Sequence, residues 1–571
     1  MNTKVPALLS AIALLLLACT TAPVPQTSYD PATLRFEGER ALAIEGDFVS
    51  QFPLRHSGQP NSALAVVWLS DQFMNNGWSC YIDEWEVINY SQPVTLRNVV
   101  CKLAGASPQE ILVVAHHDQA PTTVEGADND GSGIAILLHL AEIFGAEGPQ
   151  PYTLVFVATD GEEYGELGSR RYIQTHHPIA GEILAGISLD NLGKYFYNGM
   201  DIEAVGQFHR FGPLWLQLLA GESARAAGDL WIPKVCAPLD QVIGQAVPIS
   251  FMDQGPMVAA GVPALGFAGT VPAEFRELHW QTYHTPDDLM KYQSADVLYQ
   301  SGRITEALIR QLLSMQRFPT EPRPYLYLPE SGQVLGGARL MAVFAGFVAL
   351  FFAGSWLNIR GASGEAAGKW RSALPHFLGL WLPLVGALWL LYGMVAVGLM
   401  DKYELYPATT KDPETLHPHW PAVIVFLLGL ALFLIMGRRL ARRFAGEAIP
   451  APPVIKSLAL LVIGLGGVYV LLVNPFSLLF FIPLPFWFLI KGRRGAGRVL
   501  DILAFLLGGL TVYALFYFFG FVIQRMNFAV LWYMMMMFSI GMVGPLTALV
   551  IMAVIAAGLS MVVKFSEKVK T

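Results

Sequence analysis

The chain has 571 residues, 54% hydrophobic and only 14% charged, where a soluble globular chain carries about 25% charged residues. Residues 1–335 hold 18 basic and 36 acidic side chains (net −18), whereas the remaining 236 hold 19 and 8 (net +11), so the formal −7 is a sum of unlike halves. That composition excludes a wholly soluble protein and reads as an acidic water-soluble domain followed by a basic, apolar membrane domain.

In chain order, residues 1–19 carry Lys4, the 14-residue apolar stretch Val5–Ala18 and Cys19. This is the shape of a secretory signal, too short for a comfortable bilayer span. Leu16-Leu17-Ala18-Cys19 is similar to a bacterial lipobox, although Leu17 is larger than the residue preferred there. A lipidated Cys19, an ordinary cleaved signal and an uncleaved anchor are all compatible with it, and each exports the domain C-terminal to it. Residues 20–35 are polar, Pro-rich and without a period, which predicts a tether. Cys80 and Cys101 flank the strand-like runs SCYIDEWEVI and TLRNVVCKL, opposite each other if the chain turns near Tyr90-Ser91. Export permits a disulfide there, and two unpaired thiols are the alternative; Cys236 has no evident partner.

Three short apolar runs then end in polar clusters: ILVVA before His116-His117-Asp118, TLVFVAT before Asp160-Gly161-Glu162-Glu163, and GISL before Asp190-Asn191. Alternating with helical stretches such as residues 134–144, they predict buried parallel strands of an α/β sheet. Such sheets place ligands beyond the carboxyl ends of their strands, where these clusters fall.

From residue 337 the apolar runs are 338–357, 375–400, 420–437, 454–473, 475–490, 499–523 and 527–563. The first six approach the roughly 20 residues of a span. The last is too long for one helix, and Gly544-Pro545 offers a break, so seven or eight spans are expected. Basic clusters at Arg360/Lys369/Arg371, Arg438–Arg443 and Lys491–Arg498 contrast with the acidic 401–418 loop. By the positive-inside rule the basic loops are cytoplasmic and residues 1–335 lie outside. Lys564, Lys568 and Lys570 prefer the inside, which favours seven. Asp501, Arg525 and His376 lie near segment ends, so this half reads as an anchor or interaction platform in the lipid bilayer, without the deep ionisable groups of a transporter. The basic residues form no single patch, which argues against a nucleic-acid partner.

A single histidine after a strand is ordinarily a hydrogen-bonded core residue, and a Glu pair a solvated turn. Histidines and carboxylates together at several strand ends are the donor set of a hydrolytic zinc site, in which a further carboxylate moves the proton. Glu162 and Glu163 can divide those tasks. The motifs AHHD, GADNDGSG, DGEEYGELGS, SLDN and YHTPDD, in that order over roughly residues 60–315, resemble the zinc-dependent aminopeptidases of metallopeptidase family 28. The resemblance implies a three-layer α/β/α zinc-exopeptidase domain over 36–318, a linker over 319–336 and an all-α multi-span domain over 337–571. It implies peptide substrates and two zinc ions: His116 and Asp190 on one, Glu163 and His284 on the other, with Glu162 the general base and Asp118 orienting His116. Asp253 falls where the family shows Ser-Asp-His, here with Gln254 in place of the histidine, and is expected to line the substrate pocket.

The departure is Asn129. The family's bridging aspartate falls on it, between Asp128 and Asp130, and a neutral amide is no anionic bridge. Asp128 or Asp130 could turn inward and bridge; the site could hold one zinc; or it could be degenerate. Three functions are compatible with these residues: a membrane-anchored aminopeptidase outside the cytoplasmic membrane, a receptor or scaffold that has lost catalysis, or glutaminyl-cyclase-like amide chemistry on the same scaffold.

Overall fold

The computed structural model describes residues 20–22, 28–89, 92–176, 182–319, 324–360, 370–402, 418–445, 452–491, 493, 495–517, 520–521, 526–539, 541 and 543–562. The signal sequence over 1–19, Cys19, the Tyr90-Ser91 turn, most of the acidic 401–418 loop and the lysine-bearing tail lie outside the described residues. The chain separates into two compact units between Leu335 and Gly336.

In the first unit, β1 (Thr20–Thr21) is a short strand, followed by β2 (Ser79–Asn89), β3 (Gln92–Leu103), β4 (Ser107–His116), β5 (Tyr152–Thr159), β6 (Ile183–Leu189), β7 (Met200–Glu203), β8 (Ala264–Gly269), β9 (Tyr325–Leu328) and β10 (Gln333–Gly336). Seven of them form one sheet in the order β2-β3-β5-β4-β6-β8-β7. The central β5-β4-β6-β8 are parallel, and β2, β3 and β7 complete the sheet antiparallel. Strand alternation feeds two cores: Ile111, Val113 and Ala115 face the helices Gly38–Gln51, Pro60–Asn75, Ser132–Glu147 and Ala295–Ser314, while Leu112 and Val114 face Tyr172, Met257 and Val258. Both faces being covered explains why these strands are apolar at consecutive positions.

Cys80 stands opposite Cys101 in the β2/β3 register and is bonded to it, while Cys236 is free. The expected tether is packed where it is described: β1 pairs with β10, Ala22 is buried, and Ser28 and Tyr29 hydrogen-bond to Gln311 and Ser223. The expected linker likewise contributes β9 and β10. Their polar sequence conceals this because the partners lie some 200 to 300 residues away.

The second unit holds, among the described residues, five helices long and apolar enough to cross a membrane: Ala338–Arg360, Ala373–Ala396, Trp420–Phe444, Pro452–Val473 and Pro545–Val562. Seven or eight spans were expected, and the difference has local causes. Run 475–490 contains Pro475, Pro483 and Pro485, whose missing N–H groups break an α-helical ladder, and it winds as the 3-10 segments Pro475–Phe481 and Leu484–Leu489. Lys456 Nζ nevertheless donates to the carbonyl of Ile490 at 3.2 Å, so this run returns the chain to the Lys456 end of the preceding helix. Run 499–523 is divided at Gly508-Gly509 into Arg498–Gly508 and Leu510–Tyr517, and run 527–563 breaks before Pro545.

Candidate metal centre

His116 closes β4, Asp160 to Glu163 follow β5, and Asp190 follows β6, so three parallel strands deliver their polar clusters to one edge. Alternation along β4 separates the two histidines: His116 enters the centre, whereas His117 Nε2 bonds the carbonyl of Arg97 at 2.8 Å. Glu162 and Glu163 sit in one 3-10 turn flanked by Gly161 and Gly165, at φ 76° and 99°. That left-handed geometry costs a side-chain-bearing residue about 1 kcal/mol or more, which is why glycines bracket the acids.

The Asn129 side chain is the hub. Its Oδ1 lies 2.8 Å from His116 Nε2; its Nδ2 donates to Glu163 Oε1 at 2.8 Å and lies 2.8 Å from His284 Nε2. Around His116 Nε2, Glu162 Oε2 and Asp190 Oδ1 each stand at 3.8 Å, and His284 Nε2 is 3.3 Å from Glu163 Oε2. All of these side chains are buried. The structure therefore brings together His116, Asn129, Glu162, Glu163, Asp190 and His284.

Asp118 stands behind the centre. Its carboxylate is 3.4 Å from His116 Nδ1 and accepts the backbone N–H groups of Glu162 and Glu163 at 3.3 and 3.4 Å, so it orients the ring and the acid pair together. Asp128 is not in the centre: it accepts from Tyr197 Oη at 2.6 Å and from the Gly193 N–H at 2.9 Å, and pairs with Lys194 Nζ at 3.3 Å. Asp130 is held by the N–H groups of His116 (3.2 Å) and Gly133 (2.9 Å). A Cβ at Gly133 would lie 2.3 Å from Asp130 Oδ2, so the glycine lets that carboxylate close over the helix start. Asp130 nonetheless presents a ligand atom within 4.8 Å of those of His116 and Asp190, so it belongs with that side of the centre, whereas Asp128 is turned away. Asp253, expected on a pocket wall, is buried beneath the end of β5, where Thr159 Oγ1 donates to it and burial pushes its pKa up to about 6.

Several contributors have no assignment from sequence. Asp288, in the PDD of YHTPDD, accepts the N–H groups of Asp128 and Asn129 at 3.3 and 3.1 Å and pairs with Lys194 at 3.4 Å. Fully buried Arg55 donates to the carbonyls of His117 and Gly126 at 2.8 and 2.7 Å, bracing the loop that carries Asn129. The charged residues inside apolar context were the available signal; their pairing across the fold was not.

The electrostatics ask for a cation. Burial, followed by the neighbouring carboxylates Asp190 and Glu163, holds Glu162 well above the ordinary range against the pull of His116. Burial pushes Glu163 up to about 8. Burial alone would lower His116, but Glu162, Asp118 and Asp190 outweigh it and raise it well above its usual value. A dication relieves the repulsion that protons otherwise relieve. The donors fit zinc: bonds of about 2.0–2.1 Å in a tetrahedron put ligand atoms about 3.3 Å apart, which the 2.8 and 3.8 Å separations around His116 Nε2 bracket.

Residues 98–309 match the profile of peptidase family M28. The alkaline phosphatase isozyme conversion protein of Escherichia coli (strain K12) is 28% identical over 215 residues, 33% of this chain and 59% of that protein. Aminopeptidase YwaD of Bacillus subtilis (strain 168) is 26% identical over 223 residues, 37% of this chain and 43% of that protein. The solved structure of BSAP, a zinc aminopeptidase from Bacillus subtilis, superposes with a TM-score of 0.41 at 14% identity, covering 49% of this chain and 96% of that one. The chain spans about half the length of these two curated relatives.

Proposed function

We propose that this chain, whose residues 98–309 form a peptidase family M28 domain, is a membrane-anchored zinc exopeptidase that removes N-terminal residues from peptides outside the cytoplasmic membrane. The observation that carries the reading is the convergence of His116, Glu162, Glu163, Asp190 and His284 around one buried point at the ends of β4, β5 and β6. A scaffold that had lost catalysis would have no reason to keep five buried ionisable groups facing one another, because unpaired buried charge is costly.

A zinc ion held by His116, Asp190 and their neighbours would polarise the scissile carbonyl and acidify water. Glu162 is the general base: its carboxylate stands in the buried centre 3.8 Å from His116 Nε2, placed to take a proton from water and hand it to the leaving amine. Asp118 fixes the His116 ring and, through two N–H groups, the turn that aims Glu162. The five apolar helices anchor the chain, and the basic residues Arg360, Arg438, Arg439, Arg442 and Arg443 near helix ends support a cytoplasmic side opposite the peptidase unit.

The test is hydrolysis by the zinc-loaded full chain in detergent against aminoacyl amides and N-terminal glutaminyl peptides. Release of the free N-terminal residue is expected. Zinc-bound protein that releases nothing, or only cyclises glutaminyl peptides, contradicts the reading.

A further inference from the structure

We infer that Asn129 divides the buried donor cluster into one metal site and one hydrogen-bonded site, so that the chain binds a single zinc ion, on the His116–Asp190 side. The inference rests on the zinc reading above and deepens it. It comes from the chemistry of the two ends of an amide. The oxygen has lone pairs and can ligate a cation; the NH₂ group has two N–H donors and cannot.

The orientation of the amide is fixed by its neighbours. Nδ2 faces Glu163 Oε1 at 2.8 Å, and turning the group over would put an amide oxygen against a carboxylate oxygen. The same NH₂ lies 2.8 Å from His284 Nε2, so its two hydrogens match two acceptors. His284 Nε2 also lies 3.3 Å from the other Glu163 oxygen, Oε2, a spacing a zinc ion could bridge, but the NH₂ stands within hydrogen-bonding distance of both residues. On the opposite side Oδ1 faces His116 Nε2, with Asp190 Oδ1 at 3.8 Å from that nitrogen, and ligand atoms of His116, Asp130 and Asp190 lie within 4.8 Å of one another. Of the two flanking acids, Asp128 is taken by Tyr197, Gly193 and Lys194. Asp130 accepts two backbone N–H groups, yet its carboxylate still offers a ligand atom within 4.8 Å of those of His116 and Asp190, so it adds to that side of the amide. Glu163 and His284 then act as acceptors that hold the amide, and through it Oδ1, in place.

The experiment is metal counting, independent of turnover. The full-length chain in detergent is stripped with chelator, titrated with Zn²⁺, and its stoichiometry and affinity are read by calorimetry and elemental analysis. One high-affinity ion per chain is expected. His116→Asn should weaken that ion by more than about 100-fold, beyond the 10–100-fold typical of residues that only support a ligand. His284→Asn should weaken it by no more than that supporting range. Asn129→Asp, which replaces the NH₂ with a second acceptor, should raise the count to two. Two ions on the unaltered chain, loss of the ion in His284→Asn with retention in His116→Asn, or a count that stays at one in Asn129→Asp would each overturn the inference. None of these results depends on whether a peptide is cleaved, so the peptidase reading stands or falls separately.

Discussion

Lys194→Met is the perturbation that probes most directly how the fold holds the Asn129 loop. Lys194 is fully buried, with Asp128 at 3.3 Å and Asp288 at 3.4 Å, both also fully buried. Removing the ammonium leaves two carboxylates facing each other without a counter-ion, and breaking a buried pair in this way costs about 3–5 kcal/mol. At about 2 °C per kcal/mol for a domain of this size, the zinc-sensitive thermal transition of the detergent-solubilised chain should fall by about 6–10 °C, followed by tryptophan fluorescence. Adding Asp288→Asn removes one of the stranded charges, and its amide oxygen can still accept one of the two N–H groups, those of Asp128 and Asn129 being bonded to different oxygens of Asp288. The double variant should therefore recover part of the loss, a non-additivity expected of groups in one network. Burial lowers the pKa of Lys194, but Asp128 and Asp288 outweigh it and the net direction is upward. A raised lysine contributes fully below its unfolded value of about 10.4 and loses its contribution only as pH rises through the folded value. The difference between Lys194→Met and the parent should thus be flat from pH 6 to pH 9. A shift under about 2 °C, or a double variant no more stable than the single one, would refute the reasoning.

Other parts of the structure give equally direct tests. Glu142 is half-buried; burial raises its pKa, but His139 and Arg40 outweigh it and bring it down to about 2. A depressed carboxylate stabilises above its unfolded pKa and loses that contribution as pH falls through the folded one. Glu142→Gln should cost about 1 kcal/mol at pH 7 after allowance for solvent screening, with the gap closing between about pH 4.3 and pH 2 in thermal melts. Replacing Cys80 and Cys101 by serine opens a loop spanning a 21-residue separation and should cost about 3 kcal/mol, whereas Cys236→Ser should leave the melting temperature nearly unchanged. Arg55→Met removes the donor that serves the carbonyls of His117 and Gly126; at about 1–3 kcal/mol for each buried acceptor left unsatisfied, it should lower the melting temperature by several degrees and weaken zinc binding by about 10-fold.

The alternation of apolar runs with polar clusters was enough to place His116, Glu162, Glu163 and Asp190 at strand ends, because parallel strands buried on both faces have a strong sequence signal. The Asp128-Asn129-Asp130 triplet was not resolvable that way. Which of three consecutive polar residues faces the centre is set by local backbone, non-helical at Asn129 and Asp130, and by partners such as Tyr197 and Asp288, respectively 69 and 160 positions from Asp128. Asp253 is a related case: its motif fixes a position in the chain but not that Thr159 donates to its carboxylate. In the apolar unit hydropathy located every run, but hydropathy is blind to helix type, so the proline-rich 475–490 segment and the Gly508-Gly509 break emerged only from backbone geometry.

The central claim is that the buried acid pair serves a zinc-dependent hydrolysis, and Glu162→Gln tests it most directly. The substitution removes the proton acceptor and keeps the size of the side chain. In the zinc-loaded full chain, kcat for aminoacyl amide hydrolysis should fall by about 10²–10⁴-fold while Zn²⁺ stoichiometry stays that of the parent. Hydrolysis retained at the parent's rate with zinc bound would contradict the account.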